Sequence, residues 1–76
     1  MKAPSVLYRK AMSLAFDNQN LMPFDCIDIL RDVYGKRLES MNPQTIFNIA
    51  ANMMAHVSDA DYTEEITEAV NDFIYS

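Results

Sequence analysis

Residues 40–58 read SMNPQTIFNIAANMMAHVS, nineteen consecutive positions without Asp, Glu, Lys or Arg. Inside it, Ile46, Ile49, Ala50, Met53 and Val57 recur at the three- and four-residue spacing that puts side chains on one face of an α-helix. Phe47 and Met54 lie at the edges of that stripe and widen it. Asn42 followed by Pro43 supplies a cap and a first helical position, because proline has no N–H to lose there. The stretch therefore predicts a helix over 43–57. It approaches the length of a membrane span, but Pro43, Gln44, Asn48, Asn52 and His56 would each carry uncompensated polar groups into hydrocarbon, so no span is expected.

Working outward, the flanking segments carry the same period. From Ser5 to Asp17, Leu7, Ala11, Leu14 and Ala15 fall on one side, with Arg9, Lys10, Ser13 and Asp17 opposite, and Pro4 suits the first turn. A helix over 23–34 starts at Pro23, shows Cys26, Ile27, Ile29, Leu30, Val33 and Tyr34 on its apolar side, and stops at Gly35, the chain's single glycine. Residues 36–41 read as an irregular link or a further helical turn. A last helix over 62–74 has Tyr62, Ile66, Ala69, Val70 and Phe73 as its apolar face, and Asp61 with Glu64 resembles a capping box ahead of it. No period-two alternation and no hairpin dipeptide occurs. The expected fold is all-α, a small bundle of about four helices forming one domain over 1–76.

With 76 residues, such a domain buries only about 60 to 65% of its extended-chain surface, and its core rarely supplies more than roughly 3 to 5 kcal/mol. Association with itself or with a partner would raise that. Cys26, the lone cysteine, excludes an intrachain disulfide and fits a reducing, cytoplasmic setting. Lys2 gives one early positive charge, but Arg9 and Lys10 interrupt any apolar run an export signal would need.

Catalysis requires converging groups, and these residues do not supply a set. Cys26 lies within an apolar face, which suits a small buried hydrophobe better than a nucleophile. His56, the only histidine, falls at a helix end. Zinc needs three or four Cys or His ligands. Asp59, Asp61 and Thr63 alternate like the first ligands of a calcium loop, but Glu64 stands where that loop needs glycine and Val70 where it needs a bidentate glutamate. A phosphate-cradling loop needs several glycines. No cofactor, metal or enzymatic activity is expected.

Charge is polarised along the chain. Lys2, Arg9, Lys10, Arg31, Lys36 and Arg37 are all the bases; with Asp17, Asp25, Asp28 and Asp32 they leave residues 1–38 at +2, while seven acids and no base follow, for −7 and a total of −5. Asp61, Glu64, Glu65, Glu68 and Asp72 share one face of the last helix, and Asp25, Asp28 and Asp32 form a smaller stripe on the second. A surface that served only solvation would more often interleave Lys, since like charges at i, i+4 destabilise a helix. The sign of the charge disfavours direct nucleic-acid binding. Three readings of the acidic faces stay open: solvated outer surfaces that keep the chain soluble, a face that meets a basic protein surface, or one that imitates a nucleic acid and inhibits a nucleic-acid-binding protein, as small accessory proteins of phages and plasmids do.

The outer side of helix 43–57 points to protein contact in its own way. Gln44, Asn48 and Asn52 follow one another at i, i+4 and i+8 beside Ala51 and Ala55, where a solvent-facing helix usually carries Lys or Glu. Small residues admit close approach, amides hydrogen-bond without burying charge, and interface centres are depleted of charge. The expected function is a non-enzymatic module, regulator or inhibitor that binds a protein partner or a second copy of itself, through Gln44, Asn48, Ala51, Asn52 and Ala55 together with the acidic face. A helix covered on most sides by its own bundle would show the same composition.

Overall fold

In the computed structural model, which describes residues 5–76, four helices and a short 3-10 segment run in the order α1 (Val6–Phe16), α2 (Pro23–Tyr34), η1 (Gly35–Ser40), α3 (Pro43–Ala55) and α4 (Thr63–Tyr75). The expected all-α bundle is what forms. Pro4 and the early positive charge at Lys2 lie outside the described residues.

Each helix begins where the chemistry of its first residues allows. The Ser5 hydroxyl accepts from the Tyr8 N–H at 3.0 Å and caps α1. Asn42 Oδ1 accepts from the Gln44 N–H at 2.8 Å ahead of α3, with Pro43 in the first turn. At α2 the Asp25 carboxylate reaches back to accept the Met22 N–H at 2.9 Å, closing the turn that Pro23 opens. Gly35 ends α2 at φ 58 and ψ −136, backbone that glycine alone adopts without strain, although a methyl group there would meet nothing within 4 Å. The link beyond it is helical after all, a 3-10 segment pinned by the buried Leu38.

Two expectations fail locally. No capping box forms at α4: Asp61 Oδ1 instead accepts the backbone N–H and the hydroxyl of Thr63 at 2.9 and 2.6 Å, a self-contained turn that delays the helix to Thr63 and leaves Tyr62 at its cap. In α1 the inward side is rotated by about a residue. Ala11, Met12 and Ala15 are buried and Tyr8 packs against them, whereas Leu14 is 40% exposed, because α1 must offer small residues to both α2 and α3 at once.

One cluster of buried side chains drawn from every element forms the core, with Cys26, Leu30, Leu38, Ile46 and Met53 fully enclosed. Helix α2 packs against α1, α3, α4 and η1, and α3 against α1, α2 and α4. The radius of gyration, 11.5 Å, is close to the roughly 11 Å of a compact chain of this length. Among the described residues no helix is long and apolar enough to cross a membrane.

Candidate interaction surface

Helix α3 owes its outer face to the width of its inner one. It buries Ile46, Ile49, Ala50, Met53 and Met54, and half-buries Phe47 and Ala51 against the same core. Met54, expected at the margin, is 3% exposed. Only a narrow strip is left to solvent.

Along that strip Gln44, Asn48, Asn52 and Ala55 are exposed. The amides are not equivalent. Gln44 Nε2 donates to Asn48 Oδ1 at 3.0 Å within the helix, while Asn52 Nδ2 donates to the Tyr8 hydroxyl of α1 at 3.3 Å. Asn52 thus ties two helices of its own bundle together, to a partner that cannot be read from spacing, because Tyr8 lies 44 positions away. Ala51 and Ala55 line a hollow of about 340 Å³ whose far wall is the turn before α4, Asp61 included. Gln44 and Phe47 line a second, of about 270 Å³, opposite Thr67, Val70 and Asn71. The strip is therefore bounded by α1 on one side and by the α3–α4 seam on the other.

Across the seam, Glu64, Glu65, Glu68 and Asp72 are all exposed and fall within an arc of about 100° around α4, turned away from Ile66, Ala69 and Val70. Asp61 is not on this face, as it precedes the helix. Its carboxyl is held below the ordinary carboxylate range by the two bonds from Thr63, hydroxyl first. Asn71 stands three residues from Glu68 and seven from Glu64, so the neutral seam passes directly into the acidic arc. The α3 strip, the seam and the acids make one continuous surface.

The remaining reactive groups lie elsewhere. Cys26 sits in the core, and burial, reinforced by the neighbouring Asp25 charge, pushes its thiol up to about 12. That leaves it a neutral hydrophobe at physiological pH. His56 caps the end of α3 and its ring packs against Phe16 of α1, tilted by 35° with centroids 4.5 Å apart. Among the described residues no three His, Cys, Asp or Glu side chains are gathered to hold a metal ion. Sequence reasoning also passed over a groove where η1 meets the end of α4. There the Arg31 guanidinium lies 5.1 Å from the centre of the Phe73 ring.

No family model, curated protein or solved structure matches this chain.

Proposed function

We infer that the chain is a non-enzymatic helical interaction module, working in a reducing, cytoplasmic setting as a regulator or inhibitor of a protein it binds. One observation carries the reading: the exposed strip of α3 bears no charge, yet it runs without a break into an acidic arc that bears no base. A neutral centre with a charged margin is the anatomy of a protein interface, where the centre excludes water and the margin steers the encounter. A basic surface on the partner converts the mutual repulsion of the α4 acids into attraction.

The test is affinity purification from the native host with the wild type and with Asn48→Arg plus Ala55→Arg. Both residues are exposed, so helix content and melting are retained while partner capture is lost. Asn52 is left alone, because replacing it also breaks the bond to Tyr8. Unchanged capture removes α3 from the account.

The base-free arc on α4 also supports the second reading, nucleic-acid mimicry. Glu64→Lys with Glu65→Lys and Glu68→Lys separates the two. Under mimicry, DNA or RNA competes with the wild type for the partner's groove, and the reversed variant no longer enters it. With an ordinary protein contact, nucleic acid does not compete.

A further inference from the structure

The groove between η1 and the end of α4 has a volume of about 840 Å³. Buried Leu38 and Ile46 close its floor, Met41 and Phe73 are half-buried along it, and Ile74 lies open at 38%. Arg31 of α2 and Lys36 of η1 stand on the lining with Glu39 as the one acid, so the groove is locally basic on a chain of net charge −5. Both cations are exposed, and among the described residues neither enters a side-chain hydrogen bond. The Arg31 guanidinium lies 5.1 Å from the centre of the Phe73 ring, which holds a planar fork of N–H donors at the edge of the apolar floor. A cation at the end of α2 also suits the helix dipole, but that role needs neither the ring nor the groove.

We propose that this groove is the docking site for an acidic, apolar peptide segment of a partner protein. The segment sets a carboxylate against Arg31 and Lys36 and lays large aliphatic or aromatic side chains on Leu38, Met41 and Phe73. Two observations choose that occupant. The charge of the lining calls for an anion, and a carboxylate matches the guanidinium fork with two parallel bonds. The walls are surface residues, since Arg31, Lys36, Glu39, Pro43 and Ile74 are all exposed, so the trough covers only one side of what lies in it. A small-molecule site envelops about 70 to 90% of its ligand. A chain segment anchored on a larger partner tolerates burial on one side. This site goes beyond the reading above. It is opposite in sign to the acidic arc, and none of Gln44, Asn48, Ala51, Asn52 or Ala55 lines it, so either can fail without the other.

The probe is a library of short random peptides displayed on phage and selected against the immobilised whole chain, with recovered peptides then synthesised and titrated by calorimetry and amide NMR. Peptides that join Asp or Glu to Leu, Ile, Phe or Tyr should be recovered. They should shift the amides of Lys36, Leu38, Phe73 and Ile74 and not that of Asn48. Arg31→Gln with Lys36→Gln should weaken binding by about tenfold or more, and Glu39→Gln should tighten it by about threefold, since it removes the one opposing charge. A gain in affinity cannot come from a lost fold. Asn48→Arg with Ala55→Arg binds these peptides like the wild type. No recovery, recovery of basic peptides alone, shifts confined to α3 and the acidic arc, or affinities unmoved by the groove variants would each overturn the proposal. So would octanoate reproducing the groove shifts at the same concentration, which assigns the groove to a free amphiphile, or groove shifts on diluting the chain alone, which assign it to a second copy.

Discussion

Helices α3 and α4 are both thirteen residues long, yet they are kept in the bundle by different means. Helix α3 buries five side chains, carries no charge and packs against all three other helices; α4 buries Ile66, Ala69 and Val70 alone and carries four acids. Helix α3 offers no charge to be screened by salt or titrated by an acid or base. For α4, the stabilisation from a narrower stripe is offset by like charges at Glu64–Glu68 and Glu68–Asp72, each pair costing roughly 0.2 to 0.5 kcal/mol. Stability in so small a core is therefore unevenly distributed, and α4 is the helix that conditions can loosen.

The contrast is broken most severely from the α3 side. Met53 is fully buried, and Met53→Ala is expected to cost about 2 to 5 kcal/mol, the whole of what such a core supplies, so that chemical denaturation shows a largely unfolded chain. Next in size is the pH response of the core that both helices cover. Well below pH 9 the Cys26 thiol is protonated in both states and its full contribution is present. Between that value and about 12 the unfolded chain loses a proton that the folded one retains, so stability falls with rising pH, by at most about 1.4 kcal/mol per unit. Urea titrations of the wild type and Cys26→Ala across that range should diverge in slope; parallel slopes would mean the thiol is not held neutral by the fold.

Smaller effects sharpen the comparison from the α4 side. Glu68→Lys converts the repulsive pairs with Glu64 and Asp72 into attractive ones and should stabilise by about 1 to 2 kcal/mol, with added salt raising the wild-type melting temperature and not the variant's. Smallest is the exposed tie between α3 and α1. Asn52→Ala and Tyr8→Phe should each cost about 0.5 kcal/mol, and a double-mutant cycle should show that the two losses are one.

Helix existence was legible because it depends on neighbours in sequence. Asn42–Pro43, Pro23 and Gly35 act on their own backbone, and the stripes on α2 and α3 follow from spacing alone. What escaped depends on neighbours in space. Leu14 and Met12 are interchangeable by hydropathy, and only the simultaneous approach of α2 and α3 decides that Met12 faces inward. Asp61 had two uses open to it, and the nearer, Thr63, prevailed. The acidic arc was readable from its spacing; that it adjoins the α3 strip through Thr67 and Asn71 was not, since the seam is made by packing. The groove under Arg31 is invisible in sequence because its lining comes from four separate elements.

The enclosure of Cys26 has a practical consequence. A thiol reagent cannot reach it while the bundle is closed, so the chain carries its own clock for opening: the rate at which the native protein is alkylated, set against the rate for the unfolded chain, reads out how often the core is breached. A bound partner that braces the helices would slow that clock whichever surface it occupied.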